Sequence, residues 1–399
     1  MQPAGHPRPQ TTARRGGTWA LFIIPVILLA GVVAVFLRTN GAGLNVEPAA
    51  PIETLEFERT ILRAGVIELH VRNTSPQEIT LAQVVINDAI FPFTVSPGAE
   101  LARLRRAVVT IEYPWTQAVA YQITLFSSSS IPFKTEIPVA AETKTVSTGT
   151  LLSFTLIGLY VGVIPVFLGM FWLPALRQLG ARWFMFLMAM TGGLLIYLGI
   201  DATSEALEIA GELGGPFQGI GLVGIGVVAT FMLLDAIGRR QTSVARGETA
   251  QRFALASLIA VGIGLHNLGE GLAIGAAYSV GAAALGTFLV IGFILQNITE
   301  GLGIVAPILK DQTSLSSLAW LGLIGGAPAI AGGWIGGLSY SKPLAVVFLA
   351  IGAGAVFEVA YEIAKLIQKD AAKRPMPLTI FAGVTVGMLL LYVTGLLIK

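Results

Sequence analysis

Two short polar segments, each inside apolar sequence, carry the residue types that could do chemistry. They are GIGLHNLGEGLAIG, with His266, Asn267 and Glu270, and LQNITEGLGIVAP, with Gln296, Asn297 and Glu300. In each segment the first and last of these residues are four apart, so they share one face of a helix. Imidazole, amide and carboxylate groups together suit zinc and other first-row divalent ions. The repeated spacing therefore predicts a metal site between two similar helices.

The charge of these residues supports the same hypothesis. An ionisable side chain in the middle of a membrane costs about 2.5–3.5 kcal/mol, so one that is kept there usually lines a pathway or has a partner. Glu270 and Glu300 supply the two negative charges that balance a divalent cation. The alternatives are an interhelical hydrogen bond for His266 with Glu270 and a buried polar clamp for Gln296 with Glu300. The duplicated spacing favours the metal site.

The glycines beside these glutamates have a simpler interpretation. Gly271 and Gly301 directly follow the two carboxylates, and Gly269 precedes one of them. Small residues let membrane helices approach closely. We therefore expect these glycines to serve helix packing.

Composition places most of the chain in lipid. Hydrophobic residues make up 54% of the sequence and charged residues 12%, compared with roughly 25% charged residues in a typical soluble domain. The net charge of +2, scattered through loops, argues against a nucleic-acid partner. The sequence has no cysteine, which excludes thiolate metal sites and disulfides.

Hydropathy and alternation divide the chain into four parts. Residues 1–18 are rich in Pro, Gly and Arg and are predicted to be a disordered cytoplasmic tail. Residues 19–38 form an apolar run long enough to be an uncleaved transmembrane anchor. Residues 45–146 alternate polar and apolar residues between turn signals, which predicts a small all-β domain, an immunoglobulin-like sandwich by strand spacing. Residues 151–398 return to lipid.

The last part is predicted to be an all-α bundle of eight transmembrane helices. They lie near 151–173, 183–203, 217–238, 252–277, 282–309, 315–338, 343–368 and 376–398. Arg and Lys cluster after the odd-numbered spans and near the N-terminus, and such cations remain cytoplasmic. The sequence therefore predicts a multi-pass protein of a prokaryotic cytoplasmic membrane, with a cytoplasmic N-terminus and an external β domain and C-terminus.

The two polar segments, HNLGEG and QNITEG, resemble the fourth- and fifth-span signatures of the ZIP (Zrt/Irt-like) family of zinc and iron transporters. The resemblance covers about residues 151–398, and only these two motifs are specific. It implies an eight-helix ZIP-like core with a binuclear-like centre. One site would use His266, Glu270, Gln296 and Glu300, and the second would use Asn267, Asn297 and the shared glutamates.

The chain departs from the family pattern at several positions. Gly269 and Thr299 stand where the family usually has proline, so a helix break there is expected to come from glycine or from the threonine hydroxyl bonding backward. Ala327 precedes Pro328 where the family often has glutamate, so the second site is expected to be weak or absent. Glu362 matches an accessory ligand on the cytoplasmic exit path, with an i, i+3 pair to Lys365 as the equally supported alternative.

The function expected from the resemblance is transport of a divalent cation toward the cytoplasm. Zinc is the first candidate, and iron, manganese and cobalt are alternatives. The metal is substrate, and neither an organic cofactor nor enzymatic activity is expected. A degenerate metal sensor or scaffold is the main alternative, and an intramembrane zinc hydrolase is disfavoured because one histidine leaves too few ligands. The lipid bilayer is the other partner. A homodimer is allowed, and the sequence identifies no partner for the β domain.

Overall fold

The computed structural model describes residues 15–39, 52–143, 146–178, 180–279, 283–372 and 375–396. Residues 1–14 of the predicted disordered tail therefore lie outside the described residues. The stretches on either side of the β domain, 40–51 and 144–145, lie outside them as well.

The N-terminal helix, α1, spans Arg15–Arg38 and contains Pro25. It begins four residues before the predicted anchor. Its described side chains between Ile23 and Phe36 are half or more exposed, as expected of an apolar helix that meets lipid. The Thr39 hydroxyl donates to the Val35 carbonyl oxygen at 2.9 Å and so satisfies one acceptor of the last turn.

A β-sheet domain follows, built from two antiparallel sheets. One sheet has the strand order β1-β2-β7-β5, and the other has the order β4-β3-β8-β9 with β6 paired to β3. The strands are β1 Leu55–Arg63, β2 Val66–Asn73, β3 Ile79–Ile86, β4 Ala89–Phe91, β5 Phe93–Ser96, β6 Glu100–Leu101, β7 Arg106–Glu112, β8 Tyr121–Ser127 and β9 Pro132–Ile137. The sandwich-like architecture expected from alternation is present.

Alternation in the strands produces the core of this domain. In β2, Ile67, Leu69 and Val71 are fully buried, whereas the polar residues between them lie on the outer face. The inner faces of both sheets contribute to one apolar cluster. This domain therefore has a hydrophobic core of its own.

Eight helical segments in the described part of the chain are long and apolar enough to cross a membrane. They are span 1 Thr148–Leu176, span 2 Ala181–Gly211, span 3 Gly215–Gln241, span 4 Glu248–Ser279, span 5 Leu289–Ile308, span 6 Leu315–Ser339, span 7 Lys342–Ala371 and span 8 Pro377–Gly395. The helices of spans 2, 4, 7 and 8 have these same bounds. The helix of span 3 is Gly219–Val244, and a 3-10 turn at Gly215–Phe217 precedes it. The helix of span 5 is Ala283–Val305, and a 3-10 turn at Ala306–Ile308 follows it.

Irregular geometry falls in spans 1 and 6. Span 1 consists of α-helices Thr148–Gly158, Ile164–Met170 and Leu173–Leu176, with a π-helical turn at Leu159–Val163. Span 6 is divided into helices Leu315–Gly326 and Pro328–Ser339 because Pro328 cannot donate a backbone hydrogen bond.

The expected helix breaks in spans 4 and 5 are absent. The helices that hold Gly269 and Thr299 continue through these positions. Both residues keep the backbone N–H that proline lacks, so the helical hydrogen bonds persist. The Thr299 hydroxyl does donate backward, to the Gln296 carbonyl oxygen at 2.6 Å, without interrupting the helix.

The spans pack as two groups. Spans 1, 4, 5 and 6 pack on one another, and so do spans 2, 3, 7 and 8, while spans 4 and 7 join the groups. Both polar segments identified from the sequence lie in the first group.

Glycine creates the closest contacts within the first group. A Cβ atom on Gly271 would lie 2.1 Å from the Ala329 carbonyl oxygen of span 6, and one on Gly301 would lie 2.1 Å from the Val166 carbonyl oxygen of span 1. Gly269 differs, since its Cβ would meet only the Leu349 side chain at 3.4 Å.

We expect Gly271→Ala to lower the thermal unfolding temperature in detergent, because the backbone of span 6 must move to admit the methyl group. Overpacking of this kind costs about 1–3 kcal/mol. Gly269→Ala, two residues away, is the control, and it is expected to be neutral or stabilising by up to about 1 kcal/mol through helix propensity. Equal destabilisation by both variants would contradict the packing described here.

A polar network joins three members of the first group at the end of the bundle remote from the β domain. Asp311, between spans 5 and 6, is bound by Arg252 of span 4 through two contacts of 2.7 and 2.8 Å. The Arg177 guanidinium donates to the Asp311 carbonyl oxygen at 2.5 Å. The hydrogen bond from Arg252 lowers the pKa of the Asp311 carboxyl below its usual value.

Asp311→Asn is expected to destabilise the protein by about 1–3 kcal/mol at neutral pH, because Arg252 loses its charged acceptor. Because the folded-state pKa of Asp311 is lowered, its contribution is present above the ordinary aspartate pKa and is lost as the pH falls through the lowered value. Thermal unfolding across the acid range should therefore show the difference between wild type and Asp311→Asn shrinking toward low pH. A difference that is independent of pH would contradict this account.

The β domain contacts the turn between spans 2 and 3 and the beginnings of spans 3 and 7. The carboxylate of Glu56, which is buried, accepts the Gly214 N–H at 3.2 Å and lies 3.9 Å from Lys342 Nζ. Lys342 also pairs with Glu212 at 2.9 Å. These contacts define which end of the bundle carries the β domain.

Candidate metal centre

Spans 4 and 5 bring the six predicted residues of the two motifs to one buried place. Each of the six side chains is at most 8% exposed, and they are His266, Asn267, Glu270, Gln296, Asn297 and Glu300. Ligand atoms of His266, Glu270 and Glu300 all lie within 4.8 Å of one another. The i, i+4 spacing within each helix and the pairing of the helices produce this convergence, as the sequence predicted.

The amide of Gln296 lies at the centre of the cluster. Its Nε2 donates to Glu270 Oε1 at 2.7 Å and lies 3.3 Å from His266 Nε2. In the tautomer with an unprotonated Nε2, His266 accepts the second amide hydrogen and presents this lone pair to the cluster. The positive end of the amide dipole thus faces the same two acceptors that a cation would use.

Asn297 is held in one orientation by two acceptors. Its Nδ2 donates to Glu270 Oε2 and to the Val161 carbonyl oxygen, each at 2.9 Å. Val161 lies in the π-helical turn of span 1, where the altered backbone geometry presents this oxygen. Reversing the amide would set its oxygen against two other oxygens, so Asn297 Oδ1 is the atom left for another partner.

Asn267 is oriented in the same way from span 6. Its Nδ2 donates to the Gly325 carbonyl oxygen at 3.0 Å, just before the break at Ala327. Span 6 therefore contributes a backbone carbonyl to the position of the amide. Ala327 offers no side-chain ligand atom at the break in span 6.

Four buried oxygen atoms in this cluster have no hydrogen-bond partner in normal geometry among the described residues. They are Asn267 Oδ1, Asn297 Oδ1, Glu300 Oε1 and Glu300 Oε2. Leaving a buried acceptor unsatisfied costs about 1–3 kcal/mol, and more for a charged group. Such a concentration of orphan acceptors beside His266 and Glu270 is an arrangement that one cation would satisfy.

Two cavities lie toward opposite ends of the bundle. One of about 490 Å³ is lined by Gln296 and by acidic residues of span 2, Asp201, Glu205 and Glu208. The other, of about 510 Å³, lies near the opposite end and is lined by residues of spans 3, 4 and 7 that include Glu362. The first cavity thus reaches a residue of the cluster itself.

Glu362 lies in a second carboxylate cluster, with Asp235 of span 3 and Glu358. Glu358 is fully buried, and neither of its carboxylate oxygens has a hydrogen-bond partner among the described residues. Glu362 also pairs with Lys365, so the i, i+3 ion pair predicted as its alternative role is present. Glu362 therefore belongs to the carboxylate cluster and also forms the ion pair with Lys365.

Asp235 was missed by the sequence reasoning. It is the one acidic residue in the apolar stretch ATFMLLDAIG, which marks it as a buried ionisable group. Arg239 follows at i+4 and pairs with it at 2.8 Å, so the pattern also fits an ordinary surface ion pair. The Oδ1 atom of Asp235 remains buried and without a hydrogen-bond partner among the described residues.

No protein-family model matches this chain, and no curated protein matches it.

Proposed function

We propose that this protein transports a divalent metal cation across the membrane through the cluster on spans 4 and 5, in the manner of a ZIP-like carrier. The observation that carries the proposal is the set of four buried oxygens beside His266 and Glu270 that have no hydrogen-bond partner in normal geometry among the described residues. Zinc is the preferred substrate because the set combines one imidazole nitrogen with carboxylate and amide oxygens.

The proposed site has His266, Glu270 and Glu300 as its principal ligands. Gln296 becomes a ligand when its amide turns to present its oxygen, and the orphan oxygens of Asn267 and Asn297 complete the set. A neutral histidine and two carboxylates balance the charge of one divalent ion, which removes the cost of burying either charge alone. Without a carboxylate at Ala327, one strong site is expected in place of two.

The route of the ion follows from the two cavities. The acidic cavity beside Gln296 attracts cations and leads them to the cluster. The carboxylates of Asp235, Glu358 and Glu362 form a second station toward the opposite end. With the orientation predicted from the cations of the loops, movement runs from the external face to the cytoplasm.

Release requires the ligands to exchange partners. Among the described residues, the cavity beside Gln296 reaches the cluster, whereas the lining of the cavity at the opposite end includes none of the six cluster residues. Relative movement of the two helix groups gives alternating access, as repeats in other carriers do.

A sensor or scaffold that binds metal without moving it is the second candidate. Ala327 favours it, since the reduced ligand set binds one ion tightly and lacks a neighbouring site to receive it. The β domain, which contacts spans 3 and 7 and the turn between spans 2 and 3, would then report occupancy.

Uptake of radioactive zinc into proteoliposomes distinguishes the two candidates. The carrier is expected to give saturable uptake into sealed vesicles, with competition by manganese, cobalt or ferrous iron defining selectivity. Vesicles without protein are the background control. If protein that binds zinc in detergent accumulates none in vesicles, the sensor replaces the carrier.

A further inference from the structure

The turn between β6 and β7 presents an apolar tip between arginines. Leu104 is 43% exposed and has a φ of +62°, in the left-handed region that leucine rarely adopts. Its N–H donates to the Asn73 carbonyl oxygen at 2.8 Å, and its own carbonyl oxygen accepts from the Arg72 guanidinium at 3.2 Å. The turn is therefore fixed from the strand behind it, with leucine held outside the core.

Arg72 also places this turn beside the membrane. Its guanidinium lies 5.6 Å from the centroid of the Phe217 ring, at the start of span 3. Three residues further along the span, Ile220 is 73% exposed and begins the apolar surface of that helix. At about 1.5 Å per residue, Phe217 lies only about 5 Å beyond the apolar surface, which is the level of the headgroup layer.

The charges on the turn leave two cations unpaired. Glu58 pairs with Arg72 at 2.6 Å and with Arg106 at 2.8 Å. Arg103 and Arg105 are exposed and have no acidic partner within 4 Å among the residues that the structure describes.

The same surface forms a shallow cavity of about 680 Å³. Its lining includes Arg72, Arg105 and Arg106, together with the acidic Glu78 and Glu100. The acids keep the cavity close to neutral, so the excess positive charge is at the tip of the turn.

We propose that this turn binds the phosphate groups of anionic phospholipids in the leaflet on the β-domain side, with Leu104 entering the interfacial layer. Guanidinium groups bind phosphate oxygens in pairs and are less strongly hydrated than ammonium groups. Exposed basic residues around an apolar side chain at headgroup level are the combination that binds an anionic membrane surface. The β domain would thereby be held by lipid as well as by spans 3 and 7 and the turn before span 3.

The absence of cysteine in the chain permits a direct test. Full-length Leu104→Cys protein, labelled with an environment-sensitive fluorophore, is reconstituted in phosphatidylcholine vesicles with or without phosphatidylglycerol. Lipids bearing a nitroxide on the headgroup report contact by quenching. We expect stronger quenching in vesicles that contain phosphatidylglycerol. In a lipid titration in detergent, we expect the apparent affinity for phosphatidylglycerol to fall about fivefold for each of Arg103 and Arg105 that is replaced by glutamine.

Two controls test whether the binding depends on these two arginines and on lipid. Arg63→Gln with Lys134→Gln removes two charges elsewhere on the β domain and is expected to leave the quenching unchanged. Inorganic phosphate at the same concentration as the lipid is expected not to compete, because the apolar label that replaces the Leu104 side chain adds affinity for lipid alone. The proposal would be overturned by equal quenching in the two lipid mixtures, or by quenching that does not change when both Arg103 and Arg105 are replaced by glutamine. Neither result depends on metal transport.

Discussion

Replacing Glu300 by glutamine is expected to stabilise the protein without zinc and to remove its response to zinc. The two Glu300 oxygens are buried and have no hydrogen-bond partner in normal geometry, so a neutral amide relieves an unfavourable charge worth about 1–3 kcal/mol. The same change removes a direct ligand. Since loss of a group that only supports a ligand weakens metal binding 10–100-fold, loss of the ligand itself is expected to weaken zinc binding by at least about 100-fold.

Thermal unfolding in detergent, with and without zinc, measures both effects. Wild type is expected to gain about 2.7 kcal/mol when free zinc is 100 times its Kd, and Glu300→Gln is expected to gain almost nothing. Glu208→Gln is the matched control, because Glu208 lines the nearby cavity but lies outside the cluster. A Glu300→Gln protein that is less stable without zinc, or equally responsive to it, would show that this carboxylate has a structural role instead.

Replacing Glu358 by glutamine is expected to separate transport from binding. Glu358 belongs to the second carboxylate cluster, which we place on the exit route. Its loss should leave zinc binding at His266 and Glu270 unchanged but slow the release of the ion, since Asp235 and Glu362 already pair with Arg239 and Lys365. We expect the zinc uptake rate to fall by about tenfold, equivalent to about 1.4 kcal/mol in the rate-limiting barrier.

The control for this experiment is Asp370→Asn. Asp370 lines the same cavity as Glu362 but is not one of the clustered carboxylates. Its replacement should leave both uptake and binding unchanged. If Glu358→Gln transports at the wild-type rate, or if both variants slow uptake equally, the second cluster is not a station on the route.

Much of the architecture was accessible from sequence because it depends on local patterns. Period-two alternation predicted the strands, exemplified by Ile67, Leu69 and Val71, and continuous apolar runs predicted the eight membrane-spanning segments. Strand order was not predictable, since it depends on which sheet edges meet. The convergence of His266 and Glu300 followed from repeated helical spacing, which is also a local signal.

The remaining features depend on contacts between distant segments. The π-helical turn that presents the Val161 carbonyl oxygen to Asn297, and the Gly325 carbonyl oxygen that orients Asn267, have no signature at their own positions. Asp235 joins Glu358 only because spans 3 and 7 pack together. The helix breaks expected near Gly269 and Thr299 do not form, because both residues keep the backbone N–H group that proline lacks.

The most direct test of the central claim is anomalous diffraction at the zinc edge from crystals of the protein grown with zinc. The account predicts a peak at about 2.0–2.2 Å from His266 Nε2 and from carboxylate oxygens of Glu270 and Glu300, and its absence in Glu300→Gln crystals. A zinc peak elsewhere in wild-type crystals, with none at this cluster, would contradict the account.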